Sequence, residues 1–198
     1  MKKLIVLGVL LFCFTSMGFL FWHQEMKYVL PTPVPLGYVA KMPEQYIAMP
    51  AAFNFPKDKA LYLHFFNPDC PCSRFNLKHF LSLKKTFEKD ISIYAVIPAY
   101  ADYDYAVDMI DDESITIIQD KDDLLANACG VYATPQAVVI DAQQKLFYRG
   151  NYNKTRYCTL KESNYAEIAL TALVKGEHPP VFDMFATQSY GCELPIDQ

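Results

Sequence analysis

The stretch His64 to Phe80, HFFNPDCPCSRFNLKHF, holds two cysteines with one proline between them, Cys70 and Cys72, where an apolar run gives way to a helix-forming one. A cysteine at the mouth of a helix meets unpaired backbone N–H groups and the positive end of the helix dipole. Both stabilise thiolate and make a nucleophile. Asn67, Pro68, Asp69, Pro71 and Ser73 around it read as an exposed turn, so Cys70 is the first candidate for thiol chemistry. A bond from Cys70 to Cys72 would close a small, easily reduced ring around Pro71, suited to an oxidant or a labile switch; otherwise Cys72 is a packed thiol on a helix face. The alternative chemistry is metal carriage, because two soft thiolates such as Cys70 and Cys72 suit Cu(I) or zinc.

The chain has six cysteines. Cys13 lies in an N-terminal apolar run and Cys129 on the apolar side of a helix ahead of Gly130, where a core role is expected. Excluding both leaves Cys70, Cys72, Cys158 and Cys192 as disulfide candidates, an even number that permits three connectivities, among which the sequence does not choose. His64 falls inside an apolar run and reads as a hydrogen-bonded core residue. His79 is expected on the polar side of a helix and His178 in an exposed tail.

Which redox space these thiols meet is set by the N-terminus. MKKLIVLGVLLFCFTSMGFLFW, residues 1–22, is two lysines followed by an uncharged run from Leu4 to Trp22, long enough to cross a hydrocarbon core of ~30 Å. The run ends in bulky Phe-Leu-Phe-Trp where a cleaved signal needs small residues, and Phe12 precedes Cys13 where a lipoprotein signal needs one. An uncleaved single-pass anchor in the cytoplasmic membrane is expected. Lys2 and Lys3, with no further basic residue before Lys27, put the N-terminus in the cytoplasm and the domain in the periplasm or exterior, where disulfides persist. Residues 23–37, with Pro31, Pro33 and Pro35, read as an extended spacer. Residues 38–198 form the domain, with a tail from about Gly176. Without Lys2 and Lys3, 16 basic residues face 22 acidic ones, a net of −6 that gives no support to nucleic-acid binding. The acids of Asp102 to Glu113 lack the fixed spacing of a calcium loop and read as a solvated helix face and loop.

The elements that must position the thiols alternate. Ala60 to Phe66 is a strand buried on both faces, and in the helix after it Leu77, Phe80, Leu81, Leu83 and Phe87 share one side. Ile91 to Ile97 and Ser114 to Asp120 are further strands, separated by a short helix at YAVDMI. A helix stopped near Gly130, a hairpin across Ala142 to Gln144 and a last helix at NYAEIALTALVKG follow. This order implies an α/β sheet, parallel early and antiparallel late.

LYLHFFNPDCPCSRF, then CGVYATPQAVVID, then KLFYRG together resemble the thioredoxin superfamily, over roughly Ala60 to Gly176. The likeness is to membrane-anchored bacterial thioredoxin-like proteins with a Cys-x-Cys-Ser turn. The resemblance implies a thioredoxin-like fold, a central mixed sheet flanked by helices. It places Cys70 on the nucleophile and Ser73 on the resolving cysteine, so the usual Cys-x-x-Cys disulfide cannot form, and it implies a cis proline at Pro135 that shapes a peptide groove. It also brings the loop NYNKTRYCT back over the thiol turn, with Tyr152 and Tyr157 as a wall. There Cys158 either resolves a disulfide on Cys70 or Cys72 or forms a structural bridge to Cys192. The tail is long enough for Cys192 to reach back. Ser73 is expected to hydrogen-bond the thiolate. Asp69 opposes that thiolate, while Arg74 favours it.

The function this implies is a membrane-anchored thiol-disulfide oxidoreductase acting on protein thiols and disulfides, without a cofactor and with catalytic candidates Cys70, Cys72, Ser73, Pro135 and Cys158. The alternatives are copper binding or delivery through Cys70 and Cys72, and a non-catalytic thioredoxin-like scaffold. The copper carriers of this fold use Cys-x-x-x-Cys and a downstream histidine, neither of which matches here. The sequence is silent on oligomeric state.

Overall fold

Every residue of β1 (Leu61–Phe65) is buried, and the two-residue period of a strand sends its side chains alternately to opposite faces. Tyr62, with Phe66 just beyond the strand, joins Phe80, Leu83 and Phe87 of α2 (Pro71–Phe87) and Ala166, Ala169 and Leu170 of α5 (Tyr165–Val174) in one core. Leu61, Leu63 and Phe65 meet Leu125, Ala126 and Cys129 of α4 (Leu124–Cys129) in another. A strand buried on both faces belongs inside a sheet. In this computed structural model, which describes residues 2–155 and 157–194, β1 is indeed the central strand of five.

The order is β3-β2-β1-β5-β6. Strands β2 (Ser92–Pro98) and β3 (Thr116–Asp120) run parallel to β1, and β5 (Gln136–Ile140) and β6 (Leu146–Gly150) are antiparallel, as the alternation of elements implies. A short helix, α3 (Tyr103–Ile110), connects β2 to β3; its N-terminus is capped by Asp102, which accepts the Tyr105 N–H at 3.0 Å. Two registers fix the geometry of the thiol edge. Phe65 lies opposite Gln136, so β5 starts beside the end of β1, where α2 begins. Ala137 lies opposite Gly150, so β6 ends at that same edge.

The tail does more than trail from α5. A short helix, α6 (Met184–Thr187), packs on the end of β6. There the Asn151 N–H donates to the Ala186 carbonyl at 2.8 Å, and a Cβ on Gly150 would stand 2.0 Å from that carbonyl oxygen. Beyond it, β7 (Cys192–Glu193) pairs antiparallel with β4 (Ala133–Thr134) in a second, two-stranded sheet. The last four residues of the expected tail, 195–198, lie outside the described residues.

The N-terminal segment differs from a free spacer. Helix α1 (Lys2–Val29) continues past Trp22. Thr32 then donates its N–H to the Ser189 carbonyl at 2.9 Å and its hydroxyl to the Gly191 carbonyl at 3.3 Å, and the Tyr38 hydroxyl bonds the Gly130 carbonyl at 2.9 Å. Proline lacks only its own N–H. The donors of Thr32 and Tyr38 stay available, and they dock the segment on the domain. Within α1, Lys2–Gln24 is a span of 23 residues whose most apolar 18-residue window has a mean hydropathy of 2.5, long and apolar enough to cross a membrane, a test that a signal sequence also passes.

Candidate functional site

Pro71 at the first helical position starts α2, its missing N–H being one that the first turn leaves unpaired in any case. Cys70 is therefore the N-cap residue, with extended backbone (φ −81°, ψ 120°), and its carbonyl accepts the Ser73 N–H at 3.0 Å. No acid stands in the first turn of α2 to offset its positive end.

The Cys70 sulfur is bonded to Cys192 of the tail, with Cα atoms 6.1 Å apart and a sequence separation of 122. It also lies 3.8 Å from the Thr134 carbonyl oxygen. The Thr134–Pro135 peptide bond is cis. Thr134 is the register partner of Cys192, so β7 carries its cysteine onto Cys70 along the residues that precede the cis proline.

This pairing corrects two sequence expectations. The thiol turn is exposed only at Asp69 and Pro71: Cys70 is 1% exposed because the tail covers it, and Cys72 and Ser73 are buried as well. Cys192 is bonded to Cys70 and not to Cys158, because β7 enters on the β4 side of Cys70 while the Cys158 loop arrives from β6. Cys158 keeps its thiol, which donates to the Asn76 side-chain oxygen at 3.1 Å, and burial pushes that thiol up to about 12. The Ser73 hydroxyl accepts the Asn67 backbone N–H at 3.2 Å and braces the turn.

Asp69 is exposed, with its N–H on the Asn67 side chain, and Arg74 donates to the Tyr105 hydroxyl of α3 at 2.7 Å. With Cys70 oxidised, the thiolate pair that copper binding requires exists only in the reduced protein. Among the described residues no group of three or more His, Cys, Asp or Glu side chains is placed to hold a metal.

The loop after β6 does return to this edge. Cys72, Asn76, Pro135, Tyr152, Tyr157 and Tyr190 line a cavity of about 530 Å³, although Arg156 of that loop lies outside the described residues. Asn76 ties the rim together: its amide nitrogen donates to the Cys72 carbonyl at 3.0 Å and its oxygen accepts from Cys158. Tyr152 is held from below, its hydroxyl 2.6 Å from that of Tyr62 and 2.6 Å from His64 Nδ1. His64 is a hydrogen-bonded core residue, and burial drops its imidazole to about 3. His79 departs from the expected polar face; it packs toward Tyr152, and burial lowers it while Glu167, 3.8 Å away, works in the opposite direction. Cys129 is core, its thiol pushed up to about 12 by burial, and His178 is exposed.

Sequence reasoning missed Asn76, Tyr190 and Gly191. Gly191 carried a signal, standing immediately before a tail cysteine in SYGCE. With φ +137° and room for no side chain, it lets the tail pass the Thr134 carbonyl.

Solved structures with this fold include a hypothetical protein from Sinorhizobium meliloti 1021, 19% identical, the match covering 78% of this chain and 94% of that one at a TM-score of 0.63. Another is an uncharacterized conserved protein from Geobacillus kaustophilus, 18% identical, with coverage of 82% and 96% and a TM-score of 0.61. A thiol:disulfide interchange protein of the thioredoxin family from Chlorobium tepidum TLS aligns more loosely, 17% identical over 59% of this chain and 81% of that one, TM-score 0.46. No curated protein matches. The mixed sheet, the thiol turn at the start of α2 and the facing cis proline make the fold thioredoxin-like. Residues 40–193 match the family described as Domain of unknown function (DUF6436), a span that takes in Cys70, Pro135 and Cys192, and the chain belongs to that family.

Proposed function

We propose that the chain is a membrane-tethered thiol-disulfide oxidoreductase acting on protein thiols and disulfides, with Cys70 as the exchanging cysteine and Cys192 of the tail as its resolving partner. The observation that carries this is the Cys70–Cys192 bond itself, made at the N-cap of α2 beside Pro135. A helix N-terminus lowers the cost of the Cys70 thiolate, which makes it both a usable nucleophile and a good leaving group.

In the reductive direction the Cys70 thiolate attacks one sulfur of a substrate disulfide. A Cys70–substrate bond forms, the substrate bond breaks, and the other substrate sulfur leaves as thiolate and takes a proton. The Cys192 thiolate then attacks the Cys70 sulfur, forms the observed bond and expels the second substrate thiol. The substrate gains two electrons and two protons, and the Cys70/Cys192 pair loses them. The reverse sequence oxidises a substrate dithiol. Cys192 thus takes the part that Ser73 cannot, while Cys72 and Cys158, linked through Asn76, are thiols of the rim. The apolar α1 and the orientation favoured by Lys2 and Lys3 support a cytoplasmic-membrane tether with the domain on the oxidising side.

Purified full-length protein tests the chemistry. Cys70→Ala reduces disulfide exchange on a protein substrate to background, and Cys192→Ala retains the first step but accumulates mixed disulfides on Cys70. Wild-type exchange rates in Cys70→Ala overturn the reading. Retention of the chain in membranes after alkaline washing checks the tether.

A further inference from the structure

The groove beside Pro135 already holds a peptide, the chain's own tail, and the fit is specific position by position. At Cys192 the backbone pairs with Thr134 and the sulfur meets Cys70. At Gly191 there is no room: a Cβ would stand 2.0 Å from the Thr134 carbonyl oxygen and 2.9 Å from its carbon, and the φ of +137° is one that residues with side chains rarely adopt. Tyr190 lines the cavity shared with Cys72, Pro135 and Tyr152. Glu193 is exposed, and among the described residues its side chain makes no hydrogen bond or ion pair. Leu194 donates its N–H to the Tyr132 carbonyl at 3.0 Å and buries its side chain in the core that contains Phe65 and Val96.

We propose, resting on the exchange function above, that this groove reads substrate sequence and that its substrates are extended protein segments of the form aromatic–Gly–Cys–any–apolar. The tail is the resting occupant. A substrate segment takes the same register after a dithiol donor has reduced the Cys70–Cys192 bond, itself becoming a disulfide, and β7 has left β4; the segment's cysteine then meets Cys70 as Cys192 does.

The selectivity follows from what each position costs. Backbone pairing with Ala133 and Thr134 is open to any sequence and supplies none of it. A methyl at the glycine position collides with a backbone carbonyl, which cannot rotate away as a side chain can, so alanine there must unseat the strand. Replacing the aromatic removes a wall of the cavity, and replacing the apolar residue leaves the Leu194 pocket unfilled, a smaller loss in each case.

The exchange step balances as before. The Cys70 thiolate attacks the sulfur of the segment's cysteine and displaces that cysteine's disulfide partner as a thiolate. Returning Cys192 then displaces the segment as a thiol, and the tail re-forms β7 in the place the segment vacates.

The test uses full-length protein in detergent with Gly191→Val and Cys192→Ser combined, so that the tail neither competes nor resolves. The probes are the hexapeptides QYGCEL, QYACEL and QSGCES, each carrying thionitrobenzoate on its cysteine, together with the small disulfide of thionitrobenzoate itself. Release of the chromophore and mass mapping of Cys70 are followed. The glycine peptide is expected to react about tenfold or more faster than the alanine peptide, with QSGCES between them and the small disulfide insensitive to the series. Equal rates for the Gly and Ala peptides, with Cys70 modified in both, overturn the sequence rule and leave the oxidoreductase standing. No modification of Cys70 by any probe overturns the oxidoreductase reading and this one with it. Should the double variant not fold, Cys192→Ser alone, whose tail is no longer bonded to Cys70, is reacted with the same probes, and the same order of rates is required.

Discussion

Thr134 and Cys192 are register partners in the two-stranded sheet of β4 and β7, and Thr134 is also the residue whose cis peptide bond leads into Pro135. One residue therefore positions the tail cysteine and forms the wall against which Cys70 sits. A two-residue strand pair is too short to be stable alone. The tail is kept in place by the Cys70–Cys192 bond, by Leu194 in the core and by the hydrogen bonds of Ser189 and Gly191 to Thr32.

Reduction should consequently loosen the tail first. Opening a bond that spans 122 residues removes a constraint on the unfolded chain of about 3–5 kcal/mol in the loop-entropy account. The expected outcome is a lower denaturation midpoint for reduced protein, and the same midpoint for Cys192→Ser under both conditions. Amide exchange at Glu193 and Leu194 should rise in the reduced form while β1 and β5 stay protected. Unchanged protection at Leu194 would show that the non-covalent contacts hold the tail unaided.

Gly191 should control how readily the bond forms. In Gly191→Ala the added Cβ and the Thr134 carbonyl oxygen cannot share their space, so β7 shifts and the disulfide loses the alignment that favours it over the dithiol. The reduction potential is expected to become less negative by about 30 mV for each tenfold loss in the equilibrium constant. Titration against glutathione measures it, with Glu193→Ala, at an exposed position, as the control that stays near wild type.

The sheet and the place of Cys70 were legible because their signals are local. Leu61 to Phe65 is a continuous apolar run, the cysteine follows it at once, and the Thr-Pro before Gln136 is written in the chain. The partner of Cys70 was not legible, since a cysteine 122 residues away is chosen by where the tail folds. That choice depends on Gly191 clearing a carbonyl and on Leu194 finding a pocket between Phe65 and Val96, neither of which has a periodicity to read. Docking of Thr32 was hidden for a related reason. The alternating prolines describe a stiff segment and say nothing of what the residue between two of them bonds to.

The buried chain His64–Tyr152–Tyr62 should make the rim of the site acid-sensitive. His64 Nδ1 and the Tyr62 hydroxyl both stand 2.6 Å from the Tyr152 hydroxyl, and the His64 ring stacks at 4.1 Å on Phe80. Burial drops the imidazole from 6.5 to about 3, so the folded protein holds it neutral. Above pH 6.5 neither state takes up the proton and His64 leaves stability independent of pH. Between 6.5 and about 3 the unfolded chain binds a proton that the folded one excludes, and stability falls as the pH is lowered, by up to ~1.4 kcal/mol per unit. His79, also lowered by burial, acts in the same direction. His64→Phe keeps the stacked ring, and Tyr152 retains the Tyr62 hydroxyl as partner. Urea unfolding of wild type and His64→Phe at pH 7 and pH 5 separates the contributions. The wild type should lose about 2 kcal/mol more than the variant over that interval, and the acid-induced loss should include the Tyr152 side of the cavity beside Cys72. Parallel losses in the two proteins would assign the acid sensitivity to other groups and leave the histidine a packing residue.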